Sequence, residues 1–354
     1  MQSVRSVAYG QTTSSKEDNF AVSEVLGVVM LLAMIMTIMG GVFVFLQPYI
    51  NDFEDASNWN SAMGMADKIE DRIEVAAQSP NGSGIRNTFT MTTSSIYEIE
   101  RIETWTVAAD LVQTDSTIVS EDNSTIFKIE STNETARSIM IQSPEGIITE
   151  QLSGIGGTHL ISHQLYSDHW MVVDVFDANG QAIHRWFRWH LSGLEIVTEQ
   201  GNGEFRIALV NHGRIEHFPN GAWDVERVPS LEVDELAEGG IRLSIVLTDV
   251  AVEGGIGTGS QPLDFVSQGI RSMFHGEAYN VRFTMKNEFN PIVTPLYHET
   301  WLEDYTLNRA SGTLDQHIGI SPYLRASGSD GFTVSTQGQA LHFNVDVQHL
   351  EVTS

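Results

Sequence analysis

The sequence predicts an α+β fold that is mostly β, in which a long N-terminal transmembrane and amphipathic helix precedes a large antiparallel β-sandwich-like extracellular head. Two observations carry this prediction. No ionisable residue occurs between Val25 and Leu46, and apolar residues recur at every second position in several segments beyond residue 85. The uncharged run is typical of a helix in lipid, whereas strict alternation is typical of half-buried strands.

Composition and charge limit the classes of protein to be considered. The chain has 354 residues, of which 41% are hydrophobic, so a packed core is expected rather than global disorder. The formal net charge of −27 repels nucleic-acid phosphates, so no nucleic-acid partner is expected. The chain has no cysteine, which excludes disulfides and cysteine-based metal sites.

The predicted transmembrane helix covers residues 20–47. The uncharged part alone, at ~1.5 Å per residue, spans about 33 Å, which is enough to cross a hydrocarbon core. Arg5 and Lys16 precede the segment and acidic residues follow it, so the N-terminus is expected in the cytoplasm and the head outside the cell. The apolar run is too long for an ordinary secretory signal, and the helix is expected to stay attached.

The region around the start of this helix has a further pattern. Polar residues 1–19 end in Lys-Glu-Asp-Asn, and Phe-Ala-Val-Ser-Glu follows at residues 20–24. Residues 16–46 resemble the class III signal peptide and N-terminal helix of archaeal type IV pilin-like proteins. The resemblance implies that a prepilin-type peptidase cuts between Asn19 and Phe20 and removes residues 1–19 as a leader. Many archaeal pilins have proline where Glu24 stands and a more basic leader.

The same resemblance gives Glu24 a role. As the fifth residue after the implied cut, it would pair with the new N-terminal amine of another subunit during assembly. The alternative is a solvated glutamate at the level of the lipid headgroups. Gly27, Gly40 and Gly41 would let helices approach closely, or are glycines of the kind that membrane helices tolerate.

A second, amphipathic helical segment is predicted for residues 48–80. Pro48 removes a helical hydrogen bond and is expected to kink or break the helix. Asp55, Asp67, Glu70 and Glu74 lie on the polar face. Apolar residues recur at steps of three or four: Phe53, Ala56, Trp59, Met63, Ala66, Ile69 and Ile73. The Ser-Pro-Asn-Gly sequence at 79–82 is expected to end the helix.

The remaining residues, 81–354, form the predicted β-rich head. Clean alternation occurs at 205–209, 241–247, 281–285 and 341–347, and Asp-Ala-Asn-Gly at 177–180 predicts a hairpin turn. Residues 262–275 are compatible with either a helix or a strand. Glycine-rich segments near 153–158 and 253–261 either divide the head into two subdomains or form long hairpin loops.

The head contains candidate modification and binding residues. N-glycosylation sequons begin at Asn81, Asn123 and Asn133. A strand over residues 185–190 would place Trp186 and His190 on one face and Phe187 and Trp189 on the other. His184, Trp186 and His190 could then bind a sugar or a partner by stacking, with packing inside the head as the alternative.

The sequence offers no sign of an enzyme or a cofactor. The twelve histidines lack tight metal-ligand spacing, and the calcium-loop pattern that starts at Asp177 has Arg188 at its twelfth position. No nucleophile elbow, phosphate loop or nicotinamide fingerprint occurs. We therefore expect no catalytic residue, metal or cofactor.

Two functional hypotheses follow. The first is a membrane-anchored, pilin-like surface protein of an archaeon, a minor or non-polymerising subunit because of its large head, with a role in a surface filament or adhesion. Its partners would be the membrane, the prepilin-type peptidase and other pilin-like subunits. The alternative is a monomeric anchored binding module, either an adhesin or a receptor for a glycan or polymer.

Overall fold

A computed structural model describes residues 15–113, 117–122, 126–131, 136–152, 157–162, 170–201, 203–219, 221–229, 231–236, 240–288, 324–326, 331–335 and 339–354. The chain divides into two compact units, residues 1–57 and 58–354. The fold is α+β and mostly β, as the alternation predicts, with one long helix followed by strands in three sheets.

The elements of the described residues are numbered in chain order. The helix α1 covers Ser15–Ala77. The strands are β1 (Gly84–Met91), β2 (Ser94–Asp110), β3 (Thr117–Asp122), β4 (Ile126–Ser131), β5 (Ser138–Ser143), β6 (Gly146–Gln151), β7 (Gly157–Ser162), β8 (Met171–Phe176), β9 (Ala182–Gln200), β10 (Gly203–Val210), β11 (Gly213–His217), β12 (Trp223–Arg227), β13 (Leu231–Glu235), β14 (Ile241–Val252), β15 (Gly259–Ala278), β16 (Asn280–Asn287), β17 (Leu324–Ala326), β18 (Gly331–Ser335) and β19 (Leu341–Thr353).

Pro48 is expected to kink or break the helix; α1 passes through this residue without interruption, so the break is wrong, whereas the kink stays a prediction. Proline removes only its own backbone donor, and the residues on both sides keep theirs. A side-chain bond also spans the site, since Gln47 Nε2 donates to Asn51 Oδ1 at 3.2 Å. The end of the helix at Ala77, just before the Ser-Pro-Asn-Gly sequence, is confirmed.

The part of α1 that belongs to the second unit packs on the head through its predicted apolar face. Ala66, Ile69 and Ile73 are buried, and Trp59 is partly buried with its ring 4.2 Å from that of Phe205. Side chains from both large sheets share this cluster, including those of β1, β10, β14 and β19. Helical periodicity therefore predicts the packed face correctly over residues 59–73.

Two large sheets form the sandwich of the head. A five-stranded sheet has the order β1-β15-β19-β14-β13, and an eleven-stranded sheet contains the path β12-β11-β10-β9-β2-β16-β18-β17, with β8, β5 and β6 joined through β9. A core cluster between them contains Trp105, Phe187 and Phe283 from the larger sheet and Leu243 and Phe343 from the smaller one. A third sheet, β3-β4-β7, lies over a cluster that includes Ile129 and Trp186.

One strand pair departs from the predicted antiparallel arrangement. β14 and β19 are parallel, in register from Arg242 opposite His342 to Val252 opposite Val352. Parallel neighbours need a long crossover, and here the connection includes β15 to β18. All other strand pairs in the described residues are antiparallel.

The alternating runs, the predicted hairpin turn and one of the glycine-rich segments all belong to the sheets. The four alternating runs are strands, and residues 262–275 belong to β15. Asp177 begins the hairpin turn between β8 and β9, where its Oδ1 accepts hydrogen bonds from the backbone of Asn179 and Gln181 at 2.8 Å. The glycine-rich segment at 253–258 connects β14 and β15, two strands of one sheet, and Ile256 exchanges backbone bonds with Ile96. Residues 153–156 lie outside the described residues.

Candidate functional site

The first candidate is the apolar part of α1. From Val25 to Ile50, the large apolar side chains are 43% to 72% exposed. This helix is long and apolar enough to cross a membrane. Leaving so much apolar surface in water is costly, at ~25 cal/mol per Å². The segment therefore needs a lipid or protein environment.

Most residues singled out in the N-terminal pattern lie on this helix. Asn19 and Phe20 lie inside α1, because the helix already begins at Ser15. Glu24 is exposed at the start of the apolar segment. A Cβ atom added at Gly27, Gly40 or Gly41 would meet no atom of the described residues within 4 Å beyond the adjacent helix backbone, so no packing contact among the described residues requires these glycines.

The first predicted glycosylation site lies on the surface. Asn81 is exposed in the turn between α1 and β1, beside Gly82, whose φ is 77°. An exposed position is what a glycan requires. Asn123 and Asn133 lie outside the described residues.

The aromatic stretch on β9 is packed inside the head. Trp186 is 3% exposed and belongs to the core beneath the three-stranded sheet, whereas Phe187 and Trp189 belong to the core between the two large sheets. The predicted alternation of faces is thus present. The predicted surface site does not form from Trp186 and His184, because both are buried by the flanking sheets.

His184 and His190 are held by neighbours in β2. His184 Nδ1 lies 2.8 Å from Asp110 Oδ1, and Asn280 Nδ2 donates to Asp110 Oδ2 at 3.0 Å. His190 is half-buried, with Nδ1 2.9 Å from Thr104 Oγ1. Both histidines therefore join strands of the larger sheet rather than facing solvent as a pair.

The second candidate is a cavity of about 260 Å³ within the second unit. One wall is the acidic face of α1, formed by Asp67, Glu70, Asp71 and Glu74, which a helical repeat of 3.6 residues places together. The opposite wall is the turn between β10 and β11, with Arg227 of β12 and Thr248 of β14 beside it. Apolar side chains complete the lining: Ile73, Leu209, Val210 and Val250.

The β10–β11 turn has unusual backbone geometry. Asn211 and His212 have φ values of 51° and 60°, which is the left-handed conformation that a two-residue hairpin turn requires at both central positions. Asparagine and histidine both adopt this conformation more often than most other residues. Side-chain bonds hold both residues: Asn211 Oδ1 accepts from Thr248 N at 2.9 Å, and His212 Nε2 lies 2.7 Å from Thr248 Oγ1. Burial lowers the pKa of His212, which favours its neutral form.

Ion pairs join the helix wall to the strands. Glu70 Oε2 lies 3.1 Å from Arg227, and Asp67 Oδ1 accepts from Arg214 at 2.7 Å. Burial raises the pKa of Glu70, and this effect exceeds the opposing effects of Arg227 and Arg214. The second carboxylate oxygen, Glu70 Oε1, is inaccessible to solvent and has no hydrogen-bond partner among the described residues.

A buried carboxyl group, that of Glu103, is hydrogen-bonded to the β10–β11 turn. Glu103 is fully buried and accepts hydrogen bonds from Trp105 Nε1 at 2.6 Å, Asn211 Nδ2 at 2.9 Å and Asn287 Nδ2 at 3.4 Å. Burial raises the pKa of Glu103 to about 7, although each of these donors favours the ionised form. The cavity turn and this carboxyl group are therefore one polar network.

The acidic residues of the cavity do not converge as metal ligands. In the described part of the chain, no group of three or more histidine, aspartate and glutamate side chains could hold a metal ion. The predictions of no metal and no cofactor stay predictions.

The sequence contains weak signals for this cavity. Asn-His-Gly at 211–213 stands between two alternating runs, which is the composition of a tight hairpin turn. The helical repeat predicts Glu70 and Glu74 on the polar face of the helix, but the Glu70 side chain is only 13% exposed. Nothing in the local sequence indicates that Arg227 or Thr248 would meet that face, because these contacts depend on the sheet arrangement.

Comparison with known proteins gives no relative. No protein-family model, curated protein or solved structure matches the chain. The fold and the two candidate sites thus define only a general class, a chain with one exposed apolar helix and a β-sandwich head.

Proposed function

We propose that this protein is a single-pass membrane protein of the cell surface that is anchored by α1 and presents its β-rich head outside the cell. The observation that carries the proposal is the exposed apolar segment from Val25 to Ile50. Lipid tails remove such a surface from water and satisfy no polar group, and every backbone group in this segment lies within a helix.

The proposal includes a pilin-like role, on the strength of the N-terminal resemblance. Residues 1–19 would be removed by a prepilin-type peptidase, and the mature chain would begin at Phe20, with Glu24 able to pair with a neighbouring N-terminal amine. The large head favours a minor or non-polymerising subunit of an archaeal surface filament or adhesion apparatus. Glycans on Asn81, Asn123 and Asn133 belong to the same proposal, and no catalytic activity is part of it.

Intact mass and N-terminal sequencing of protein from native membranes test the processing step. We expect a chain that begins at Phe20 and sediments with membranes until detergent is added. A chain that begins at Met1 in membranes would remove the pilin-like role and leave the anchor. Full-length protein that is monomeric in water without detergent would overturn the anchor itself.

A monomeric anchored binding module is the second candidate. The observation that favours it is the cavity between α1 and the β10–β11 turn, which offers both charged and apolar groups to a ligand. Chemical crosslinking in native membranes separates the two candidates. Crosslinks between α1 segments of different chains support the pilin-like subunit, whereas a monomer at every crosslinker concentration supports the binding module.

A further inference from the structure

Three polar side chains of the head meet beside the β10–β11 turn, and they carry an inference that depends neither on membrane anchoring nor on the pilin-like role. Thr248 of β14 contacts both His212 of the turn and Gln348 of β19. We propose that the chain joins Thr248 to Gln348 by an ester bond between their side chains, with His212 as the base. The reaction happens once in each chain, so these residues form a self-modification site.

The parallel pairing of β14 with β19 brings the two ends of the bond together. Thr248 stands directly opposite Gln348 in this ladder, so both side chains project from the same face of the sheet. Thr248 Oγ1 lies 3.1 Å from Gln348 Oε1. Because a C=O bond is about 1.23 Å long, the Gln348 Cδ atom lies within about 4.3 Å of Oγ1. A small rotation of the glutamine side chain brings Cδ to the roughly 3–3.5 Å from which attack can occur.

His212 supplies a base at the attacking atom. Its Nε2 lies 2.7 Å from Thr248 Oγ1. Burial lowers the pKa of His212, which keeps the imidazole neutral at neutral pH. With its proton on Nδ1, the neutral ring accepts the hydroxyl proton at Nε2. A hydroxyl group next to such a base is an activated nucleophile.

The burial of Thr248 protects the reaction from water. Its backbone N–H donates to Asn211 Oδ1 at 2.9 Å, which fixes the residue against the turn that carries His212. Thr248 is 0% exposed, so water does not compete with the hydroxyl for the carbonyl carbon. Gln348 is only half-buried, which gives the released ammonia a route to solvent.

The proposed step balances without any other reactant. Thr248 Oγ1 forms a bond to Gln348 Cδ while His212 Nε2 takes the hydroxyl proton. The Cδ–Nε2 bond of Gln348 then breaks, its electron pair stays on the nitrogen, and His212 returns the proton, so that ammonia leaves. The products are one ester and one ammonia, with no oxidation or reduction. Protonation and dilution of the ammonia in water oppose the reverse reaction.

The ester would give the head a covalent cross-link in a chain that has no cysteine. The two residues are 100 positions apart, and the connection between their strands includes β15 to β18. Closing a segment of this length removes conformational freedom from the unfolded chain. The bond therefore stabilises the parallel pair, whose strands are far apart in sequence.

Mass spectrometry of the full-length chain tests the proposal, with protein made in a bacterial host that adds no N-glycans and purified in detergent. We expect a mass lower than that of the sequence by one ammonia, about 17 Da. Trypsin cuts after lysine and arginine, which places Thr248 in the peptide 243–271 and Gln348 in the peptide 326–354. These two peptides should appear as one linked species. Loss of ammonia elsewhere in the chain would not link them.

Three variants separate the ester from an ordinary hydrogen bond. Thr248→Val removes the nucleophile, and His212→Asn removes the base while keeping a residue that adopts the left-handed backbone. Both variants should give the two peptides separately. The matched control is Thr104→Val, which removes a hydroxyl 2.9 Å from His190 Nδ1 and should leave the linked species unchanged.

The wild-type digest decides the question even if a variant fails to fold. Separate peptides in the wild type would overturn the ester. Linked peptides at the wild-type yield in Thr248→Val would overturn the nucleophile, and the same result in His212→Asn would overturn the base. Fragmentation of the linked species should place the bond at residues 248 and 348.

Discussion

Asn211 Nδ2 donates a hydrogen bond to Glu103 Oε1 at 2.9 Å, and this bond links the cavity turn to a carboxyl group in the centre of the head. Through its Oδ1 the same amide also holds the backbone of Thr248 in β14. One asparagine therefore connects strands of both large sheets. Its left-handed backbone, with φ of 51°, is maintained because these bonds over-determine its position.

Glu103 should make the stability of the protein depend on pH. Its pKa is about 7 in the folded state against 4.5 for the unfolded chain. A raised folded-state pKa contributes stability that is complete below pH 4.5 and is lost as the pH rises to about 7. Glu103→Gln should therefore gain stability relative to the wild type across this window, by roughly 3 kcal/mol.

Denaturant unfolding of both proteins between pH 4 and pH 8 measures this difference. The exposed Glu253→Gln variant is the control for the general effect of removing one charge. A constant difference between Glu103→Gln and the wild type over the whole range would show that Glu103 does not titrate there.

A second prediction concerns Arg214 of β11, which pairs with Glu216 of the same strand and with Asp67 of α1. Arg214 is 3% exposed and donates to Glu216 Oε1 at 2.8 Å and to Asp67 Oδ1 at 2.7 Å. Arg214→Met would leave the buried Glu216 carboxylate without its partner, at a cost of about 3–5 kcal/mol in the free energy of unfolding. Denaturant unfolding followed by tryptophan fluorescence measures the loss.

An exposed ion pair of the same chemistry provides the comparison. Arg86 pairs with Asp264 on the surface, with its own side chain 69% exposed, so Arg86→Met should have a much smaller effect. If Arg214→Met and Arg86→Met lowered the free energy of unfolding by similar amounts, burial would not be what makes the Arg214 ion pair important. Adding Glu216→Leu to Arg214→Met should recover part of the loss, because the uncompensated charge is then removed.

A third prediction follows from the close approach of β9 to β10. A Cβ atom at Gly193 would lie 2.4 Å from the carbonyl oxygen of Leu209 and 2.6 Å from Val210 Cγ2. Gly193→Ala should therefore push β10 away just before the cavity turn and destabilise the fold by about 1–3 kcal/mol. A Cβ atom added at Gly64 in α1 would meet no atom of the described residues within 4 Å beyond the adjacent helix backbone, so Gly64→Ala should stabilise the protein by roughly 0.5–1 kcal/mol.

Thermal unfolding of the two alanine variants in the same detergent compares them directly. Opposite signs are expected, with the midpoint temperature falling for Gly193→Ala and rising for Gly64→Ala. If both variants unfold at the wild-type temperature, β9 and β10 are not as closely packed at Gly193 as the structure shows.

The predictable and unpredictable parts of this fold differ in a physical way. The packed face around Ile69 and the strand at 341–347 follow from local periodicity, because burial of one face imposes a repeat on the sequence. The parallel pairing of β14 with β19 leaves no such trace, since alternation indicates that a strand is half-buried but not which strand lies beside it. The continuity of α1 through Pro48 is also hard to predict, because the helical hydrogen bonds of the residues on both sides outweigh the preference of proline itself.

The candidate sites divide in the same way. The apolar helix is predictable because a single residue property, repeated from Val25 to Leu46, defines it. The cavity is not, because Glu70, Asn211 and Arg227 come from distant parts of the chain and meet only when the sheets have formed. The interpretation of Trp186 failed for another reason. An aromatic residue that suits a binding surface suits a core equally well, and in this fold Trp186 is 3% exposed.

The last prediction concerns the apolar segment of α1. Ile35 and Met36 lie near its centre and are 46% and 66% exposed. An arginine at the centre of a membrane helix costs roughly 2.5–3.5 kcal/mol on insertion scales, so Ile35→Arg together with Met36→Arg should shift the segment strongly away from lipid. Alkaline carbonate extraction of membranes should release a much larger share of this double variant than of the wild type.

The control is Phe53→Arg, which places an arginine on an exposed residue of α1 beyond the apolar segment. This variant should stay in the membrane pellet, because residue 53 lies among the acidic and polar residues where arginine remains hydrated. The effect of charge position then separates lipid insertion from a general effect of added arginine. Equal retention of all three proteins would mean that the segment from Val25 to Ile50 is covered by protein rather than by lipid, since a bilayer would discriminate between the two positions.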